Sequence, residues 1–142
     1  MMISFQPIIR ACRETDIKLL EKYFSGDEEN HRARLDRQKK GLSIYLIALI
    51  DSRPVGHLDI RWQGCKNEKV KNFVGECPEL SAIAVRPNFR SKGIGTNLVK
   101  SAEKIVANER FEQVGIGVGI ENERAKKLYE RLGTRYLYRR LD

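Results

Sequence analysis

The sequence has no apolar run long enough to cross a membrane. Its longest run, IYLIALI at residues 44–50, has seven residues, whereas a membrane-spanning helix needs about 20. The opening segment MMISFQPIIRACRETD also lacks the basic and apolar regions of a secretory signal peptide. We therefore expect a cytoplasmic protein.

Cysteine and histidine are both scarce. The chain has three cysteines, Cys12, Cys65 and Cys77, and two histidines, His31 and His57. An odd number of cysteines without C-x-x-C spacing indicates neither a disulfide framework nor a zinc site. We expect buried free thiols in a reducing compartment and no bound metal.

Acidic residues are too few to balance the basic ones. The chain of 142 residues carries 27 Lys and Arg against 19 Asp and Glu, which gives a formal net charge of +8. Such a charge attracts nucleic acid, anionic membranes or a phosphorylated small molecule. The basic cluster at residues 32–40 contains no aromatic residue, and no nucleic-acid-binding motif occurs. We therefore expect neither a nucleic-acid partner nor a membrane partner.

The length and the order of predicted elements indicate a single domain over residues 1–142. The patterns predict a strand, two helices, three strands, a helix, a strand, a helix and a last strand. Three consecutive strands predict an antiparallel meander, and the strand–helix–strand crossover at 79–120 predicts a parallel pair. The expected fold class is therefore α/β of the mixed α+β kind: a twisted mixed sheet with about four helices, not a doubly wound one.

The segment RPNFRSKGIGTNLV, residues 86–99, lies between a predicted strand and a predicted helix. It matches neither the Walker loop nor the dinucleotide-binding fingerprint. Arg90, Gly93 and Gly95 instead form R-x-x-G-x-G, which lets several backbone N–H groups point into one concavity at the positive end of a helix. This arrangement suits a pyrophosphate, and a tight turn without a ligand is the alternative.

A second motif follows the next strand. The pattern N-x-x-A-x-x-L-Y-x-x-x-G is formed by Asn122, Ala125, Leu128, Tyr129 and Gly133. Together with LSAIAVRPNFRSKGIGTNLV, it resembles the GNAT superfamily of acetyl-CoA-dependent N-acetyltransferases. The resemblance covers residues 79–133 well and the first half of the chain loosely. It implies a GNAT-like domain in which the two parallel strands splay apart.

The resemblance also implies how acetyl-CoA binds as cosubstrate. Its pyrophosphate lies on the backbone amides of Arg90 to Thr96, and its pantetheine arm pairs with backbone groups of Ile83 and Val85 like an added strand. Asn122 bonds the arm, while Lys92 and Lys126 help with the phosphates. The residues assigned in this way to acetyl-CoA are Ile83, Ala84, Val85, Arg90, Ser91, Lys92, Gly93, Ile94, Gly95, Thr96, Asn122, Lys126 and Tyr129.

Acetyl transfer to an amine has three chemical requirements. The amine must be neutral, the thioester carbonyl needs a donor for its developing oxyanion, and the leaving thiolate benefits from a proton. The resemblance implies Glu79 as the general base, the backbone N–H of Val85 as the oxyanion donor and the hydroxyl of Tyr129 as the proton donor.

The identity of the base stays open at this point. Strand alternation predicts that Glu79 and Ser81 share a face with Ile83 and Val85. The alternatives to Glu79 are Glu76, Asp59, His57 and water.

The acceptor is not encoded in the motifs that carry the resemblance. The first helices and the connection at 63–78, which build the acceptor site in the family, resemble it least. We expect a primary amine on a small molecule or a peptide. The alternatives are a CoA-binding regulatory module without transferase activity and a basic nucleic-acid-binding protein.

The short segment after Gly133 has room for one strand where the family usually has two, so a homodimer that covers this edge stays open.

Overall fold

The computed structural model of the protein describes residues 6–26, 30–64, 77–116 and 138–141. These residues form a sheet of six strands, in which strands that follow each other in the chain are also neighbours in the sheet. The strands are β1 (Ile8–Ala11), β2 (Ser43–Ile50), β3 (Arg53–Arg61), β4 (Glu79–Val85), β5 (Gln113–Ile116) and β6 (Tyr138–Arg140). The α-helices are α1 (Ile17–Tyr23), α2 (His31–Lys39) and α3 (Ile94–Asn108), and short 3₁₀ turns lie at Glu14–Asp16 and Pro87–Phe89.

The strand pairing confirms the predicted mixed sheet. The pairs β1–β2, β2–β3 and β3–β4 are antiparallel, β5 runs parallel to β4, and β6 is antiparallel to β5. The turn between β2 and β3 consists of Asp51 and Ser52, which have φ angles of 50° and 63°. Two consecutive residues with positive φ make the tight turn that matches the twist of a β-hairpin.

The helix count differs from the expected four, because the described residues contain three α-helices. The fourth predicted helix, which begins at Asn122, lies outside the described residues, as does the connection at 65–76 that contains Cys65. Of the three helices described, none has the length and apolar character needed to cross a membrane.

Strand β2 is buried on both faces, which places helices on both sides of the sheet. Its apolar residues occupy consecutive positions, and successive side chains of a strand point to opposite faces. Leu46 and Ala48 belong to the core beneath α3, while Tyr45, Ile47 and Leu49 belong to the core beneath α1 and α2. The continuous apolar run therefore forms the middle of a three-layer domain.

Helix α3 presents an apolar stripe to one face of the sheet. Its buried residues recur at the spacing of one helix face and pack against Leu58, Ile60 and Leu80 of the central strands. The stripe consists of Ile94, Leu98, Val99, Ala102 and Val106.

The opposite core contains a buried hydrogen-bond chain between α1, α2 and β2. His31 Nε2 lies 3.0 Å from the carbonyl oxygen of Phe24, and Nδ1 lies 2.6 Å from the hydroxyl of Tyr45. A carbonyl only accepts, so Nε2 carries the hydrogen, and in the neutral ring Nδ1 accepts from the Tyr45 hydroxyl. Arg34 donates to the same hydroxyl at 3.3 Å. This chain fixes α2 against the sheet.

Replacing Tyr45 with Phe tests this chain. Tyr45→Phe keeps the ring but removes the donor to Nδ1 of His31, so the free energy of unfolding should fall by about 1–3 kcal/mol. Urea denaturation measures the change. The same substitution at the partly exposed Tyr23 is the control and should have little effect. Equal stabilities for the Tyr45 variant and the parent protein would contradict the role given to the hydroxyl.

Candidate active site

Strand β4 ends with a backbone group directed away from β3. The N–H of Arg86 donates to the carbonyl of Val55 at 2.9 Å, on the β3 side. Successive N–H groups of a strand point to alternate edges, so the N–H of Val85 points to the opposite edge. On that edge, the pairing with β5 that lies within the described residues is limited to Glu79 and Leu80. Whether the two strands splay beyond this point, as predicted, depends on residues outside the described part of the chain.

A β-bulge in β4 overturns one sequence prediction. His57 pairs with Ala84 and Asp59 pairs with Ser81, so β4 places the two residues Ala82 and Ile83 opposite Leu58 alone. Ala82 has a φ of 52°, and such an extra residue reverses the alternation beyond it.

The reversal separates the residues expected on one face. Glu79 and Ser81 pair with Arg61 and Asp59, on the face covered by α1 and α2. Ile83 and Val85 instead pack into the core beneath α3. The expectation that these four side chains share a face is therefore wrong, because plain alternation does not account for the extra residue.

The glycine loop has the geometry expected of an anion site. Gly93 has a φ of 83° and is the N-cap of α3. The first helical hydrogen bond runs from the N–H of Asn97 to the Gly93 carbonyl, at 2.9 Å. The N–H groups at the first three helical positions, Ile94 to Thr96, therefore have no carbonyl partner within the helix. A Cβ added at Gly93 would meet no described atom within 4 Å, so the space beside the loop is open.

A glycine in β3 allows this helix to begin close to the end of β4. Gly56 pairs with Val85, and a Cβ added to it would lie 3.0 Å from the Ala84 carbonyl oxygen and 3.1 Å from Cδ1 of Leu98. A side chain there would press on the backbone of β4 and on α3 together. The glycine thus keeps the helix N-terminus beside the edge that carries Val85.

Two arginines flank the loop, and the backbone N–H of one of them, Arg90, has a partner other than the predicted phosphate. The backbone N–H of Arg90, expected to face a phosphate, donates to the Pro87 carbonyl at 3.3 Å, and its Nε donates to the Val85 carbonyl at 3.0 Å. The guanidinium of Arg86 lies 4.1 Å from the ring centroid of Tyr23 and 5.1 Å from that of Phe89. Sequence reasoning missed Arg86, because its position just before Pro87 gives no signal that its side chain lies beside two aromatic rings.

Glu79 and Asp59, two of the candidate bases, differ in accessibility. Asp59 is 0% exposed, and its Oδ2 lies 3.4 Å from Nη2 of Arg37 and 3.5 Å from Nε of Arg61. Burial raises the pKa of Asp59 above its ordinary value, although Arg37 and Arg61 oppose the shift. Within the described residues, its Oδ1 has no hydrogen-bond partner. Asp59 is thus enclosed by protein and held between two cations.

Glu79 is only half-buried and lies opposite Arg61 on the neighbouring strand. Burial raises the pKa of Glu79 above its ordinary value, and the positive charge of Arg61 opposes this rise. A carboxylate with a raised pKa binds a proton more tightly, which suits a general base. The third candidate, Glu76, lies outside the described residues.

The described cysteines are both buried, as predicted for Cys12 and Cys77. Burial raises the pKa of the Cys12 thiol to about 12, so this thiol stays protonated at neutral pH and is a poor nucleophile. Within the described ranges, no group of three or more His, Cys, Asp or Glu side chains is arranged to hold a metal ion.

Three of the residues assigned to acetyl-CoA are not placed by the structure. Asn122, Lys126 and Tyr129 lie outside the described residues. The other assigned residues lie between the end of β4 and the first turn of α3, and the side chains of Ile83 and Ile94 are buried in the core beneath α3.

The match to a family model decides which protein family the chain belongs to. The model for the acetyltransferase (GNAT) family matches residues 11–134, which include the sheet from β2 to β5, the bulge and the glycine loop. The chain belongs to the GNAT acetyltransferase family.

Two N-acetyltransferases match part of the chain at modest identity. An uncharacterized N-acetyltransferase of Methanocaldococcus jannaschii is 31% identical over 91 residues, which are 63% of this chain and 38% of the relative. An N-alpha-acetyltransferase of Saccharolobus solfataricus is 31% identical over 91 residues, which are 62% of this chain and 54% of the relative. The match thus spans about half, or less, of each relative's own length.

Solved GNAT-type structures share the fold. The aminoglycoside N-acetyltransferase AAC(6')-Iy, crystallised in complex with CoA, superposes with a TM-score of 0.70 and 18% sequence identity. The superposition covers 93% of this chain and 94% of that one. At this identity the likeness establishes the fold, and the chemistry has to be argued from the residues of this chain.

Proposed function

We propose that the protein is an acetyl-CoA-dependent N-acetyltransferase that moves the acetyl group directly to a primary amine of a small molecule or a peptide. The observation that carries this proposal is the junction of β4 and α3. There the N–H of Val85 points to the edge away from β3, and the first amides of α3, Ile94 to Thr96, have no carbonyl partner within the helix. One elongated ligand with a carbonyl at one end and a pyrophosphate at the other fits both sets of donors.

Acetyl-CoA supplies an activated acetyl group when it is bound. The pyrophosphate lies against the amides of the glycine loop from Ser91 to Thr96, with positive charge from Arg90 and Lys92 beside it. Backbone groups of Ile83 and Val85 pair with the pantetheine arm along the outer edge of β4, apart from the Val85 carbonyl, which accepts from Nε of Arg90. Asn122 and Lys126 complete the site in this proposal. Their assignment rests on the family resemblance alone.

Three groups of the chain serve the chemistry. The Val85 N–H donates to the thioester oxygen as negative charge develops on it. Glu79, on the α1/α2 face, lies six strand residues before Val85, a separation of roughly 15–20 Å, so it takes the proton of the incoming amine through a chain of water molecules. Tyr129 donates a proton to the leaving thiolate. Among the described carboxylates, Glu79 is preferred over Asp59 because it is accessible from outside the core.

Direct transfer is preferred to an acyl-enzyme because no described cysteine offers a nucleophile. Cys12 is 3% exposed and Cys77 is 7% exposed, and the Cys12 thiol is protonated at neutral pH. An acetyl group bound at the edge of β4 is therefore best accepted by the amine itself.

The acceptor approaches from the face that carries Glu79, where α1 and α2 cover the sheet. The similar proteins include an N-alpha-acetyltransferase and an aminoglycoside N-acetyltransferase, and both names indicate amine acceptors. A peptide α-amine has a pKa near 8 against about 10.4 for a lysine-type amine, so more of it is already neutral. The basic residues of α2 disfavour a polycationic acceptor.

Release of free CoA thiol tests the proposed activity. The protein, acetyl-CoA and a panel of amines, polyamines, aminoglycosides and short peptides should yield free thiol only when a suitable amine is present. Mass spectrometry should find one acetylated amine for each thiol released. CoA binding without amine-dependent release from any acceptor would favour the regulatory-module alternative. Binding to DNA that weakens steeply with salt, without thiol release, would favour the nucleic-acid alternative.

A bulky residue at Gly95 tests the pyrophosphate site. Gly95→Trp places an indole where the first turn of α3 meets the phosphates, so CoA should bind at least about tenfold more weakly by calorimetry. Asn108→Trp is the matched control, because Asn108 is exposed at the other end of the same helix, about 20 Å away. Circular dichroism verifies that both variants are folded. Equal CoA affinity in both variants and in the parent protein would refute the site.

Replacement of Glu79 tests the general base. In the parent enzyme, activity should fall as the pH drops through the raised pKa of Glu79, because the protonated carboxyl group no longer accepts a proton. Glu79→Gln should lower kcat by about 10²–10⁴ at neutral pH, and the loss should shrink at high pH, where the amine is already neutral. Glu112→Gln removes an exposed carboxylate and is the control for net charge. A loss that is equal at all pH values would indicate a structural role for Glu79.

A further inference from the structure

The bulge in β4 is held by a side chain from β3. Nδ1 of His57 lies 2.7 Å from the carbonyl oxygen of Ala82, the bulge residue with positive φ. A carbonyl oxygen only accepts, so Nδ1 carries the hydrogen and donates. The bond crosses from one strand to its neighbour at the position where the regular ladder is interrupted between His57 and Asp59.

Neighbouring rings hold the imidazole in place. His57 is 1% exposed. The ring centroids of Phe24, His31 and Tyr45 lie 4.7, 5.5 and 5.5 Å from its own, and each pair has an edge-to-face arrangement. The donor therefore sits at a fixed point and has little rotational freedom to lose when it bonds to Ala82.

The bulge determines where the amides of the next residues point. Ala82 adopts a left-handed conformation, which costs about 1–2 kcal/mol for a residue with a Cβ and persists only where other interactions enforce it. Two residues further on, Ala84 resumes the pairing with β3, and Val85 follows with its N–H on the outer edge. A regular ladder without the extra residue would shift Val85 by one position and turn its N–H toward β3.

We propose that His57 is a positioning residue for acetyl transfer: its hydrogen bond to the Ala82 carbonyl fixes the bulge and thereby aims the Val85 N–H at the thioester oxygen. The proposal rests on the proposed function, because it assigns that N–H to the thioester. It gives His57 a role other than that of a base, since the ring is buried in the core away from an incoming amine.

Two substitutions of nearly equal shape isolate the hydrogen bond. His57→Asn keeps an N–H donor near the place of Nδ1, whereas His57→Leu has the same branched outline without a donor. Both lose the ring. Leucine is the better tolerated of the two in an apolar core, so stability alone ranks the Leu variant above the Asn variant. The positioning role predicts the opposite order for activity, with the Asn variant more active than the Leu variant.

The expected kinetic result is a loss in kcat confined to the variant without the donor. His57→Leu should lower kcat by about tenfold to 10², the scale of a misplaced catalytic group, while CoA affinity by calorimetry changes less because the phosphate loop is separate. His57→Asn should recover most of that loss. Val106→Ala serves as the stability control, because it removes a buried side chain near the far end of α3, away from His57 and the bulge, and should leave kcat near the parent value.

Hydrogen exchange tests the bond without any need for activity. In the Leu variant, the amides of Ala84 and Arg86, which face β3 beyond the bulge, should exchange about fivefold faster than in the Asn variant, the scale of one lost hydrogen bond. Amides of β2 should not change between the two. Equal exchange rates at these two amides in both variants, or a Leu variant as active as the Asn variant, would overturn the proposal. If exchange differs as expected but the parent protein releases no thiol with any amine, the function proposal fails and the positioning of the bulge by His57 stands.

Discussion

The extra residue in β4 is the constraint from which the rest of the site follows. Because Ala82 and Ile83 together face Leu58, every later side chain of β4 occupies the face opposite to the one that simple alternation assigns. Glu79 stays on the α1/α2 face, Ile83 and Val85 enter the core beneath α3, and the Val85 N–H points to the outer edge. Under the proposed function, the amine reaches a thioester bound at that edge from the side of the sheet on which the carboxylate lies.

The two cores on either side of the sheet have different tasks. The core beneath α3 is apolar and brings the helix N-terminus against the end of β4. Gly56 permits this close approach because it has no side chain to press on β4 and α3. The core beneath α1 and α2 contains buried polar groups, among them His31, His57 and Asp59. Buried polar groups are costly unless paired, so the hydrogen bonds of this second core restrict the arrangement of α1, α2 and the bulge.

Periodicity and spacing were sufficient to predict the order of the strands, the parallel crossover and the start of α3 at the glycine loop. Those features depend on local patterns: the apolar run of β2, the stripe of α3 and a glycine at the helix N-cap. The bulge could not be predicted, because alanine is an ordinary strand residue and nothing near Ala82 marks a left-handed conformation. The partners of His57 and Asp59 were equally hidden, since they come from residues distant in the sequence, and the backbone use of the Arg90 amide depends on a short turn that the motif does not specify.

The central claim is that the outer edge of β4 and the first turn of α3 bind a single ligand together. Titration of the ¹⁵N-labelled protein with CoA and then with acetyl-CoA, followed by amide chemical shifts, tests it directly. The account predicts that CoA shifts the amides of residues 91–96 and that acetyl-CoA adds a shift at Val85, while β1 and the exposed face of α2 stay unchanged. Shifts confined to the basic residues of α2, with none at Val85 or in the glycine loop, would contradict it.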